Sequence, residues 1–93
     1  MREYEIVFIA HPDLEESALN DVAEKVKGWV TEAGGTVLKA DFWGRRRLAY
    51  AIRKQKEGQY ILLKVQLAPT SVAAIERNLR FLEPVMRFVI SQV

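Results

Sequence analysis

The even positions of residues 36–54 form an almost continuous apolar row, followed by a second alternating stretch at 59–67, and no other part of the chain constrains the fold as much. Strict alternation puts every second side chain on one face of an extended strand. The even positions from Leu38 to Ile52 are apolar except Gly44 and Arg46. The pattern predicts one long strand over 36–54, with a bend or bulge at Gly44, where the missing side chain permits it. Gln55-Lys56-Glu57-Gly58 reads as a polar turn with Gly58 supplying a positive φ. Residues 59–67 then alternate again, with Ile61, Leu63, Val65 and Leu67 on one face and Tyr60, Leu62, Lys64 and Gln66 on the other. Two such strands across a short turn make a hairpin. A lone hairpin is marginal in water, so the rest of the chain must cover it.

Residues 2–10 supply another strand, with Tyr4, Ile6 and Phe8 on one face and Val7 and Ile9 on the other. His11-Pro12-Asp13 stops it, and Asp13 is the expected N-cap of a helix carrying Glu15 and Glu16 in its first turn. Leu19, Val22, Val26, Trp29, Val30 and Ala33 recur at helical spacing, and Gly34-Gly35 ends the run. Pro69-Thr70-Ser71 opens a second helix with Val72, Ile75, Leu79 and Leu82 as its buried stripe, an i,i+4 pair at Glu76 and Arg80, and Pro84 as its stop. Residues 85–91 alternate as a last strand. The order βαββαβ predicts a ferredoxin-like α+β domain over 1–93, a four-stranded antiparallel sheet with both helices on one face and the other face open.

Ninety-three residues allow one small domain, and 49% hydrophobic with 28% charged residues suits a soluble one. No apolar run approaches the roughly 20 residues of a membrane span. Arg2, Glu3 and Glu5 interrupt the place of a signal-peptide core, and cysteine is absent, so the cytoplasm is expected. Charge is unevenly spread. Residues 1–38 carry three basic and eight acidic side chains, a net of −5; residues 39–93 carry eleven and four, a net of +7. Within 39–56 there are seven basic residues against Asp41 alone. Such a concentration is the footprint of a polyanion-binding patch.

No catalytic constellation is present. One histidine, His11, and no cysteine cannot make a zinc site. His11 reads as a turn residue, and Ser17 and Ser71 as helix-start residues without a partner base. The five glycines match no phosphate-binding loop. No catalytic residue, metal or cofactor is expected.

Gly44-Arg45-Arg46-Arg47 carries the most information. Arginine suits bidentate phosphate contact and stacking on bases. Arg53, Lys54 and Lys56 continue the charge toward the hairpin tip, and straight alternation puts Trp43 on the face of Arg45 and Arg47. Edge-strand protection explains part of this charge, but three adjacent arginines beside a tryptophan exceed what protection needs. RNA is favoured over DNA, because no helix is basic enough for a major groove.

Met1-Arg2-x-Tyr4-Glu5, then Gly44-x-Arg46-x-Leu48-Ala49-Tyr50-x-Ile52-x-Lys54, then Gly58-x-Tyr60 resembles bacterial small-subunit ribosomal protein six over nearly the whole chain. One departure is Ala51, where the family usually has proline. The resemblance implies a non-catalytic protein of the small ribosomal subunit that binds 16S ribosomal RNA with small-subunit ribosomal protein eighteen. By position, Arg2, Arg46, Lys54 and Arg87 match its basic positions, and Tyr4, Leu48, Tyr50 and Ile52 its apolar frame. The candidate RNA contacts are therefore Arg2, Arg45, Arg46, Arg47, Arg53, Lys54, Lys56 and Arg87. Trp43, Tyr50, Tyr60 and Leu62 are the candidate contacts to the protein partner. No membrane or small-molecule substrate is expected. The competing readings on this fold are an acylphosphatase-like hydrolase, an RNA-recognition-motif domain and a ligand-sensing dimer.

Overall fold

The computed structural model describes residues 1–93. Its elements are β1 (Arg2–Ala10), α1 (Glu16–Glu32), β2 (Thr36–Ile52), β3 (Gln55–Leu67), a single 3-10 turn at Pro69–Ser71, α2 (Val72–Arg80) and β4 (Val85–Gln92). The strands form one antiparallel sheet in the order β2-β3-β1-β4, the expected ferredoxin-like topology.

The two central strands carry the core. Tyr4, Ile6, Phe8 and Ala10 of β1 lie on the same face as Ile61, Leu63, Val65 and Leu67 of β3, in the register Tyr4–Val65, Ile6–Leu63, Phe8–Ile61. All eight are buried, beneath Leu19, Val22, Val26 and Val30 of α1 and Ile75 and Leu79 of α2. Each fully buried aliphatic or phenyl side chain contributes about 1.5–3 kcal/mol. Trp29 is half-buried against this core, whereas Ala33 caps α1 and is exposed.

The element ends depart from the alternation pattern in three places. Asp13 does not cap α1. His11–Leu14 is a tight turn closed by the Leu14 N–H on the His11 carbonyl at 3.2 Å, and the helix starts after Glu15. The α2 helix stops at Arg80, before the expected Pro84, leaving Phe81 exposed. The largest difference lies at the hairpin tip. β2 ends at Ile52, β3 already begins at Gln55, and the turn is Arg53-Lys54, with φ of 50° and 65°. Both central residues at positive φ make a type I′ turn, whose twist matches that of the flanking strands.

Gly58 is therefore a strand residue rather than a turn glycine. A Cβ there would collide with Ile9 Cγ2, and close approach between strand and strand face is what its missing side chain permits.

β1 stops pairing with β3 at Ala10–Gln59, so the β2–β3 ribbon projects past it as an arm. The predicted bulge is present: the register shifts between Phe42 and Gly44, and Gly44 has φ +81°. Further out, Arg47 pairs with Glu57 and Ile52 with Gln55, so Leu48–Ala51 stand opposite Lys56 alone. These extra residues bend the arm back over the start of β4. The bend buries Leu48, the one buried side chain of β2.

Candidate nucleic-acid interface

The bulge at Gly44 decides which way each arginine points. One extra residue in a strand reverses the parity of everything beyond it. Trp43 stacks on Tyr60, with ring centroids 6.1 Å apart and planes at 13°. The Arg46 guanidinium sits over Trp43, 6.0 Å from its centroid, on the open face of the sheet. Arg45 and Arg47 pair across from Gln59 and Glu57 on the helix side. The expected sharing of one face by Trp43, Arg45 and Arg47 is thus corrected: Trp43 shares its face with Arg46.

Arg45 is occupied within the chain. Its Nη2 donates to the Pro12 carbonyl at 2.8 Å and lies 3.4 Å from Asp13 Oδ1, and its Nε lies 3.3 Å from Glu57 Oε1. These groups and Lys56 line a polar cavity of about 270 Å³. An anion cradle after the first strand, which a hydrolase of this fold would need, is not formed. The turn there presents the Pro12 carbonyl and the Asp13 carboxylate, both acceptors and both turned to Arg45.

The arm's outer end gathers the other cations. Arg53 Nη1 donates to the Glu83 carbonyl at 3.1 Å. Arg87 donates to the Tyr50 hydroxyl, its guanidinium 5.6 Å from the centre of the Tyr50 ring. Arg53, Arg80 and Arg87 line one cleft of about 240 Å³ over Leu79, Val85 and Met86, and no carboxylate lines it. Arg80 also meets Glu76 at 3.0 Å, the predicted pair, which is exposed and therefore weak. Lys54 is exposed beside Arg53.

Arg2 is apart from this group. It donates to Gln92 Oε1 at 3.3 Å, at the end of β1 remote from the arm. Eight residue steps of strand, about 26 Å, lie between it and Ala10.

Trp43, Tyr50, Tyr60 and Leu62 all fall on the open face, where Leu62 lies opposite Val7. Tyr50 and Tyr60 also line a shallow cleft of about 130 Å³ with Ile9, Leu48 and Ile52. No Asp, Glu, His, Lys or Arg side chain is buried, so the surface offers charge together with stacking aromatics.

Two features escaped sequence reasoning. The turn position was not legible, because Arg53 to Gln59 are all polar or glycine and show no alternation that marks where the strand begins. Nor was the role of Gln59, because only the fold brings the β1–α1 turn against its amide, which donates to the Leu14 carbonyl at 2.9 Å.

Comparison with known proteins agrees with this architecture. Residues 3–92 match the family model described as Ribosomal protein S6. Curated relatives include the small ribosomal subunit protein bS6 of Moorella thermoacetica, 40% identical over 93 residues, covering 100% of this chain and 95% of the relative. That of Clostridium novyi is 43% identical over 90 residues, covering 97% and 95%. The crystal structure of 30S ribosomal protein S6 from Thermotoga maritima superposes with a TM-score of 0.94 at 27% identity, covering 99% of this chain and 87% of that one. The CheA P2 domain, at TM-score 0.65 and 14% identity, shares the fold alone. With family match, near-full-length relatives and superposition all in agreement, the chain belongs to the ribosomal protein S6 family, non-enzymatic proteins of the small ribosomal subunit that reside in the cytoplasm as part of the ribosome.

Proposed function

We propose that the protein binds 16S ribosomal RNA together with small-subunit ribosomal protein eighteen, as a non-catalytic assembly component of the platform. One observation carries the RNA half. Arg53 and Lys54 occupy both left-handed positions of a type I′ turn. Asn-Gly is preferred there, and a side chain such as arginine or lysine costs roughly 1–2 kcal/mol at each such position. A local rule broken twice in favour of charge points to use of that charge. Edge protection accounts for cations along β2, but a two-residue turn has no ladder edge to protect. The neighbouring Arg80 and Arg87 enlarge the same positive surface around a carboxylate-free cleft. The protein half rests on the open face, where stacked Trp43 and Tyr60 and the adjoining Leu62 leave aromatic and aliphatic surface uncovered by either helix.

The test is binding of a central-domain 16S RNA fragment, with protein eighteen present, across a salt series. Each neutralised phosphate contributes about 0.7–0.9 to the log–log salt slope. The triple variant Arg53→Gln, Lys54→Gln, Arg87→Gln is expected to lower that slope by about two to three. An unchanged slope with unchanged affinity removes this surface from the RNA contact. Trp43→Ala is expected to weaken capture of protein eighteen while leaving the salt slope as it was.

A further inference from the structure

We infer that Arg45 is a positioning residue rather than a phosphate contact: it latches the root of the arm to the β1–α1 turn and sets the angle at which Arg46, Arg53 and Lys54 meet RNA. The inference rests on the RNA-binding reading above and assigns the first arginine of the motif a task different from its neighbours'.

Three observations support it. First, the guanidinium is engaged within the chain through Nη2 and Nε. It donates to the Pro12 carbonyl and lies beside the Asp13 and Glu57 carboxylates at 3.4 and 3.3 Å. The charges lining that cavity are Arg45, Lys56, Asp13 and Glu57, which sum to zero, and His11 Nδ1 stands 4.0 Å from Asp13. An incoming phosphate finds no net attraction there. Second, the latch is built from both strands. Arg45 comes from β2, while Glu57 and Gln59 come from β3, and the Gln59 amide reaches the His11, Pro12 and Leu14 carbonyls at 3.2, 3.3 and 2.9 Å. Both strands of the ribbon are thereby tied to one turn. Third, the position gives leverage. Pairing with β1 ends at Gln59, and five residues of strand, about 16 Å, separate that point from the turn. The latch at the root and the Arg53 bond to the Glu83 carbonyl at the tip together hold the arm, so loss of the root contact loosens the segment between them.

The latch and the contact predict opposite signs for one variant. Asp13→Asn with Glu57→Gln removes both carboxylates that face Arg45, leaves its bond to the Pro12 carbonyl as the remaining contact, and raises the net charge by two. If Arg45 bound phosphate, affinity for the central-domain fragment would rise, and that result overturns the latch. The latch predicts a loss of about fivefold, or about 1 kcal/mol, despite the added positive charge. Arg45→Gln is expected to lose a similar factor with the salt slope unchanged; a fall of about 0.7–0.9 overturns the proposal. Amide hydrogen exchange on the free proteins separates the two readings. Residues 44–58 are expected to exchange faster in both variants, with the sheet core unaltered, and unchanged rates there overturn the latch whatever the RNA does. Failure of the unmodified protein to bind the fragment overturns the functional reading instead and leaves the exchange rates to decide the latch.

Discussion

Gly44 and Gly58 lie fourteen positions apart in one hairpin and are glycine for different reasons. Gly44 has φ +81° and open space where a Cβ would stand, so its requirement is conformational. Gly58 has a Cβ direction blocked by Ile9, with Met86 Cε at 3.3 Å and the Ala10 carbonyl at 3.4 Å, so its requirement is steric. Gly44→Ala is expected to cost about 1–2 kcal/mol, and Gly44→Asn less, because asparagine tolerates the left-handed region. Gly58→Ala is expected to cost about 1–3 kcal/mol, and Gly58→Asn more, because overpacking grows with side-chain size. Urea denaturation of the four variants checks the ordering, and the same rank at both sites would refute the distinction. The Gly44 bulge could be read from the chain, since the polar Arg46 interrupts an apolar face just beyond it. The Gly58 contact could not, because Ile9 is remote in sequence and meets it only across the sheet.

Among the elements, the β2–β3 hairpin trades stability for charge at its tip. Replacing Arg53-Lys54 by Asn-Gly satisfies the left-handed turn and is expected to stabilise the fold by about 1–2 kcal/mol. The same change removes the Arg53 bond to the Glu83 carbonyl and two cations, so RNA affinity is expected to fall as the melting temperature rises. Calorimetry paired with RNA titration on one sample checks this, and a simultaneous gain in both quantities would sink it. Helix α2 shows the opposite arrangement. It is only nine residues long, too short to stand alone, and Ile75 and Leu79 hold it to the sheet. Its Val72, Ile75 and Leu79 stripe was legible from spacing, whereas its end at Arg80, ahead of Leu82 and Pro84, was not.

Across the whole molecule, charge and core are segregated. The net −5 of residues 1–38 includes the acidic side chains of α1, while the arm and the α2–β4 end carry most of the positive charge. Such a dipolar surface orients an approaching polyanion toward the arm. With about four phosphates neutralised, affinity is expected to fall roughly 50- to 150-fold between 50 and 200 mM salt. A salt-independent affinity in a filter-binding series would contradict it. The core meanwhile contains no charged side chain, so Leu63→Ala is expected to cost about 3–5 kcal/mol in chemical denaturation without changing the salt slope.

Local periodicity determined the elements, their order and hence the sheet topology, because β and helical repeats of two and 3.6 are properties of neighbouring residues. It also marked Gly44 as the site of a bulge and residues 39–56 as the most basic stretch. Only the tertiary structure decided which arginine faces where. Parity counted straight along β2 gives Trp43 to Arg45 and Arg47; the register across β3 gives it to Arg46. Likewise the ion pairs of Arg45 with Asp13 and Glu57 join residues 32 and 12 positions away, and the Arg53, Arg80 and Arg87 cleft joins three elements. A strand's face is a local quantity until an inserted residue resets it, and after that it is fixed by the partner strand.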